Sequence, residues 1–559
     1  MQTPRKAQFF LAVITVAALA PFLKKPFHID DPLFLWMAQQ IAAHPLDPYG
    51  FQVNWMGVPE PMWHAMQNPP LCSYFIAAVA SIFGWGEIAL HSAFLIWSVA
   101  AILGTFALAR RYCQHPKLHS GGAADSNSID REGSTAQPHL ALPFLIALLT
   151  LFAPVFLVSA TNVMCDVMLL ALYVWSIEVY IRGLEQQRWW LLALAMFLVS
   201  AATLTKYFGI TLLPLLAVYT LMRERRCLRQ VIWFCVPIAV VVGYDLLTKA
   251  RYGHALFIGA ASYSRDLAAK YKSPVPAQTL MGLAFIGGCV FNIVFFLPRP
   301  WLRSLTGAAI TVAILFAGFY FLVPHKSIYS LNRTLTCVEG AVFATAGLAI
   351  LSLGLLDLWR KRDAVSLLLC LWIVGTFIFA TFFNWSITAR TILPIVPSVA
   401  ILVLRNIQVG IPSFSFWRVV AGAILALLLT SADFREAQVV RKVSDIFRQR
   451  FATEEGTVWF QSHWGFQYYV QQWGARPLNV AHSEIVSGDV MLVPANNTGV
   501  VPISSDRVFP IEELTFASFP VFTTHVAATG AGFYSSVRGP LPWAMDYVPP
   551  GTYYMARFR

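Results

Sequence analysis

The chain has 559 residues, 57% of them hydrophobic and only 12% charged, with a mean hydropathy of +0.61. A soluble domain carries about twice that charged fraction, so a water-soluble globular protein is excluded. The apolar runs are long enough to cross a bilayer as helices of ~20 residues. They are continuous rather than alternating, which excludes a β-barrel, and the net charge of +12 fits cytoplasmic Lys and Arg better than a nucleic-acid surface.

Arg5 and Lys6 precede an apolar run that continues into LKK with no small-residue cleavage site, which reads as a retained first span with a cytoplasmic N-terminus. Spans are expected at 8–23, 87–109, 139–160, 163–181, 189–205, 207–222, 231–247, 279–298, 303–323, 335–357, 364–383, 388–405 and 417–431, about 13 crossings of an all-α multi-span membrane fold. The apolar stretch 71–86 is a further candidate. If it crossed, clusters such as Arg110/Arg111, Arg182/Arg188, Arg223/Arg225/Arg226/Arg229, Arg299/Arg303 and Arg360/Lys361/Arg362 would all lie outside, with Lys117, Arg131 and Arg405. The positive-inside rule therefore makes 71–86 a re-entrant or surface piece of a long first external loop, 24–86. The exception is 248–278, which places Lys249, Arg251, Arg265, Lys270 and Lys272 outside.

That first loop carries an acid pair, Asp30 and Asp31, in FHIDDPLF. Asp followed by Pro reads as a helix start, with Asp31 as N-cap and a surface helix 32–43 whose apolar stripe is Leu33, Phe34, Met37 and Ile41. Capping accounts for Asp31 and leaves Asp30 as either a reactive carboxylate or a plain loop acid. Further along, Asp166 opens a span, Lys206 sits at a break between two short spans, and Arg390 precedes a proline-punctuated span. All fall on the same expected membrane face. Asp166 is either a helix-entry acid or functional, and Lys206 either snorkels or is functional. Ionisable groups at membrane depth are functional candidates by default.

Other chemistries find little support. The eight cysteines, at 72, 113, 165, 227, 235, 289, 337 and 370, form no CxxC pair. His28, His44, His64, Glu60 and Asp30 share the first loop, but their spacing matches no compact metal motif, so neither a metal nor another cofactor is expected. There is no GxxxxGK[ST], no helix-opening GxGxxG and no GxSxG, hence no cradle for a soluble nucleotide. The stretch 112–138 is polar and reads as a flexible cytoplasmic loop. Residues 432–559 read as a small extracytoplasmic α/β domain, with strands at GTVWF and DVMLVP and a short helix in HWGFQYYVQQWG, following a transmembrane domain of residues 1–431.

The order of one span, an acid pair in a long external loop, NPPLCSYF, an Asp after the third span, LTKYFG and ARTILPIVP resembles the GT-C membrane glycosyltransferases, over most of residues 1–405. The nearest group is the protein O-mannosyltransferase-like enzymes, which include the lipid A aminoarabinose transferases. The resemblance implies an inverting enzyme of the bacterial inner membrane that takes a sugar from a polyprenyl-phosphate donor in the bilayer and passes it to an extracytoplasmic acceptor. It implies Asp30 as general base with Asp31 beside it, Asp166 as the second external acid, and Lys206 and Arg390 as cations toward the carrier phosphate. The family often has Lys or His before PPL. Here that position is Asn68, with His64, Lys24 or Lys25 as substitutes. The alternative, from another class, is a transporter or flippase of a lipid-linked or small polar substrate.

Overall fold

The computed structural model describes residues 3–112, 140–223, 232–297, 305–324, 332–406, 415–451, 456–504 and 506–559. The chain is a helical membrane protein with a small C-terminal sheet. Helices at Pro4–Phe22, Glu87–Tyr112, Cys165–Gln186, Ile232–Tyr252, Arg333–Lys361, Ala364–Phe383 and Phe416–Phe451 are long and apolar enough to cross a bilayer. Shorter apolar helices stand among them at Leu71–Phe83, Ala141–Leu151, Trp189–Thr205, Tyr207–Arg223, Val275–Cys289 and Thr306–Leu322. Lys117, Arg131, Arg225, Arg226, Arg229, Arg299, Arg303 and nearly all of the polar loop 112–138 lie outside the described residues.

Several expected spans are broken, and prolines mark the breaks. The stretch 139–160 forms Ala141–Leu151 and then Pro154–Ser159, since Pro154 has no N–H to continue the first helix. The stretch 388–405 begins as Ala389–Ile392, tightens over Leu393–Ile395 and resumes at Val396–Arg405. Residues 71–83 form a helix of 13 residues. At 1.5 Å per residue this is roughly 20 Å, short of the ~30 Å hydrocarbon core. It is tied to the helix Asp31–Ala43 through a hydrogen bond from Ser73 Oγ to the carbonyl of Phe34 (3.0 Å).

Charges collect at the two ends of the bundle. At the C-terminal end of Cys165–Gln186, Glu178 takes Arg111 at 3.0 Å and Arg182 at 2.8 Å, and Glu185 takes Arg223 at 3.2 Å. Asp166 opens the same helix. By helical rise it stands ~28 Å from Glu185, so the Arg–Glu girdle and the Asp166 end are well separated.

The last apolar helix is a single element, Ser415–Phe451, that runs straight through the domain boundary expected after residue 431. Its far end seats the C-terminal sheet. Strand order is Arg476–Pro477, Val458–Phe460, Val490–Pro494, Gly551–Phe558, Val508–Phe516. The first two pairings are parallel and the last two antiparallel. Phe447 and Phe451 of the long helix pack with Phe460, Phe466, Leu492 and Tyr553. The strands expected at 456–460 and 489–494 and the helix expected at 463–474 are all present, the helix as Trp464–Gln471.

This module is pressed onto the first loop. A Cβ on Gly465 would lie 2.2 Å from the carbonyl oxygen of Phe27, so only glycine permits the approach. The Phe27 N–H donates to Tyr469 Oη (2.7 Å), whose hydroxyl donates to Glu87 (2.9 Å). Gly465→Ala must push the module off the loop, and a loss of about 1–3 kcal/mol is expected, as for an overpacked site. Thermal unfolding of the purified protein checks this against Gly375→Ala, whose Cβ would meet nothing within 4 Å and which is expected to be nearly neutral.

Candidate active site

Four loops converge where the helix Cys165–Gln186 begins. The first is the loop before Asp31–Ala43. His28 donates its backbone N–H to Asp31 Oδ2 (2.8 Å), and the N–H of Val163 donates to Asp31 Oδ1 (2.9 Å). Asp31 is fully buried and is the first helical residue, not the cap: its carboxylate stitches the first loop to the turn 160–164. Burial pushes that carboxyl up to about 7, against the lowering pull of the His28 N–H and the Lys25 charge. The cap position falls to Asp30, whose side chain makes no capping bond and is left to reach elsewhere. Ile29, between His28 and Asp30, holds φ at +47°. For a β-branched residue this is an outlier that costs about 1–3 kcal/mol, and the clamp on either side holds it there.

The second and third loops bring the ionic groups. Arg390 sits just inside the short helix that Thr388 caps, its hydroxyl accepting from the N–H of Thr391 (3.0 Å). Nη2 of Arg390 bonds Asp30 Oδ2 at 2.7 Å, and Nη1 lies 3.8 Å from Asp166 Oδ2. Lys206, where the helix Trp189–Thr205 ends, reaches Asp166 Oδ1 at 2.7 Å. The residues after it turn back tightly: a Cβ on Gly209 would lie 2.4 Å from the backbone of Ala202, so glycine is required in LTKYFG to hold the lysine at this place. Asp30, Asp166, Lys206 and Arg390 thus form one chain of alternating charge. Its members differ in access, with 28% of the Asp30 side chain exposed, 20% of Lys206, 14% of Arg390 and 3% of Asp166. Asp30 and Lys206 are its open edge, and Asp166 is the buried anion that orients both cations. The Nε–H of Arg390 is buried and has no hydrogen-bond partner.

The fourth loop comes from the C-terminal module and was not foreseen from sequence. The carbonyl of Phe533 accepts from the N–H of Ala389 (2.8 Å), and Ser536 and Ile387 exchange two further bonds of 2.8 and 3.0 Å. The Tyr534 ring lies under the guanidinium of Arg390, 5.4 Å from carbon to centroid. Its hydroxyl donates to Asp433 (3.0 Å) and accepts from Asn162 (3.2 Å). A Tyr within an apolar-aromatic tail gives no sequence signal for such a role.

Two of the proposed phosphate-side residues stand apart. His64 pairs with Glu60. It borders a cavity of about 400 Å³ between the first loop and residues 249–266, where Trp63 stacks on His254 at 4.4 Å and Tyr263 faces His64 at 5.6 Å. Asn68 uses its carbonyl to accept from Tyr49 Oη (2.8 Å). Among the described residues no bond joins either to Arg390 or Lys206. The Tyr263 phenol on the cavity wall is pushed up to about 12 by burial and then by the charges of Glu60 and Asp30. Lys25, expected as a substitute cation for the carrier, is fully buried and spent on Thr161 (3.2 Å), Asn162 (2.6 Å) and Asp433.

Asp166→Ala removes the anion between Lys206 and Arg390. Loss of one partner of a buried pair costs about 3–5 kcal/mol, so a clear fall in the thermal midpoint is expected, larger than for Lys206→Ala at the open edge.

Residues 142–244 match the family model described as dolichyl-phosphate-mannose-protein mannosyltransferase. No curated protein matches the chain. Among solved structures, ArnT from Cupriavidus metallidurans bound to undecaprenyl phosphate is similar at 14% identity and a TM-score of 0.47, over 88% of this chain and 94% of that one. The oligosaccharyltransferase of Archaeoglobus fulgidus, tethered to an acceptor peptide, is similar at 13% identity and a TM-score of 0.46, over 84% of this chain and 63% of that one.

Proposed function

We propose that this chain is an inverting glycosyltransferase that moves a sugar from a polyprenyl-phosphate carrier to an acceptor on the extracytoplasmic face of a bacterial inner membrane, with the N-terminus cytoplasmic and the C-terminal module outside. The observation that carries this reading is the Asp30–Arg390–Asp166–Lys206 chain. It pairs a partly open carboxylate with Arg390, which keeps a buried N–H without a protein partner, and adds a second cation, Lys206, through the shared anion Asp166. The match of residues 142–244, which include Asp166 and Lys206, to a mannosyltransferase family model supports it.

The chemistry follows from the residue types. The acceptor hydroxyl attacks the sugar's anomeric carbon, a new C–O bond forms, and its proton passes to Asp30 as general base. The bond from that carbon to the carrier phosphate breaks on the opposite face, and the phosphate leaves with the electron pair. The charge it gains is met by Arg390, whose planar fork suits a phosphate, and by Lys206. Arg390 is bonded to Asp30 in this structure. A phosphate drawing the guanidinium away releases the carboxylate, so donor binding itself prepares the base. The cavity walled by Trp63, His64, His254 and Tyr263 offers aromatic faces and polar edges of the sort a sugar occupies.

Asp30→Asn is expected to lower kcat by about 10²–10⁴-fold in a transfer assay with a polyprenyl-phosphate sugar, while the protein purifies as a folded species and the wild-type product shows inverted anomeric configuration. Wild-type protein that moves the lipid across a vesicle membrane without making a glycoside would establish a flippase instead. Arg390→Ala is expected to raise the donor KM as well as lower kcat. Asp31→Asn is expected to cost more than the ~1 kcal/mol of a lost cap, because its carboxylate bonds two backbone N–H groups in separate loops. Thermal unfolding and activity are expected to fall together for this variant.

A further inference from the structure

His28, Asp433 and His525 each present one metal-ligating atom, and the three atoms lie within 4.8 Å of one another. His28 comes from the first external loop, Asp433 from the long helix Ser415–Phe451, and His525 from the C-terminal module. The two imidazole rings stand 4.9 Å apart. His28 is 2% exposed, and its Nε2 has no hydrogen-bond partner, although it points toward Asp433 Oδ1 at 3.9 Å. A buried ring nitrogen left unsatisfied is unfavourable, which leaves it available to a ligand. Glu436, one helical turn beyond Asp433, sets Oε2 2.7 Å from His525 Nδ1, yet that oxygen too lacks a bond of hydrogen-bonding geometry.

We infer that His28, Asp433 and His525 form a binding site for a divalent transition-metal ion, zinc foremost, with Glu436 as an adjacent fourth donor. Two imidazoles and one or two carboxylates are a zinc-type donor set, with ligand distances of ~2.0–2.2 Å. A tetrahedral ion of that size holds its ligand atoms roughly 3.4 Å apart, so the present spacing needs only small side-chain rotations to close. The surrounding contacts are those of an outer shell. Lys25 holds Asp433 Oδ2, the Thr524 hydroxyl bonds Oδ1 at 2.6 Å, the Tyr534 hydroxyl reaches both oxygens at 3.0 and 3.1 Å, and Thr523 holds Glu436 Oε1 at 2.8 Å. Carboxylates fixed in this way make better-oriented ligands, and Tyr534 has one proton for the two oxygens it reaches, so one lone pair of Asp433 stays open to the ion. The ion is a clamp, not a participant in transfer: it ties together the three chain segments that position Asp30 and Arg390. None of the acids proposed to act in the reaction is a ligand.

The test uses the full-length protein in detergent, stripped with chelator, equilibrated with zinc alone, desalted and measured by elemental mass spectrometry. About one zinc per chain is expected. His28→Ala and His525→Ala should each weaken zinc binding by at least about tenfold, while His64→Ala, whose imidazole pairs with Glu60, retains it. Wild-type protein without bound zinc overturns the inference, as does zinc lost only in His64→Ala or retained undiminished in both His28→Ala and His525→Ala. If the histidine variants fail to fold, the stripped wild-type decides. A thermal midpoint that falls on chelation and returns with zinc supports the site, and one that moves with neither overturns it. Neither readout depends on sugar transfer, so failure here leaves the proposed reaction standing, and failure of the reaction leaves this site standing.

Discussion

A guanidinium held away from water must be met by anions, and in this molecule Arg390 meets two of them. Asp30 and Asp166 stand 360 and 224 positions before it in the chain. Neither acid belongs to the helix that carries the arginine, so the charge is compensated only when three separate loops arrive together. The desolvation cost of a lone buried cation is several kcal/mol, which makes the arrival cooperative. Everything near it serves the same end: the doubly bonded carboxylate of Asp31, the glycine turn after Lys206 and the tyrosine ring beneath the guanidinium.

The same constraint explains why the acid pair divides its labour in the way observed. Asp31 looks inward and accepts backbone N–H groups from two loops, while Asp30 turns outward to the arginine. The left-handed backbone of Ile29 is what lets adjacent carboxylates face different ways. Strain of this sort persists only where neighbours over-determine it, and here both neighbours are bonded.

How much of this was legible in the sequence depends on the distance over which each signal acts. Apolar runs, proline breaks and the strands and short helix of the C-terminal region are local, and they lie close to where the sequence places them. The grouping of Asp30, Asp166, Lys206 and Arg390 was legible because charged residues are so costly in an apolar chain that each one stands out. His64 and Asn68 were drawn toward the phosphate side by their position in a motif, and they face other partners. Lys25 was misread for a related reason. A lysine next to a membrane span reads as a surface cation, whereas its partner Asp433 lies 408 residues further on. A boundary after residue 431 suits hydropathy, yet the helix persists to Phe451 because its polar continuation has a sheet to pack on. Tyr534 and His525 carry no local mark at all.

The contribution of residues 524–536 also has a consequence for how the molecule comes into being. These side chains follow the long helix Ser415–Phe451 in the chain, and the Tyr534 ring lies beneath a guanidinium whose acid partners come from much earlier segments. A nascent chain that has already inserted its helices therefore still lacks the support beneath Arg390. The seat of the guanidinium is complete only once residue 534 has been made, and a premature stop before that point leaves a membrane-bound protein with its cation unseated.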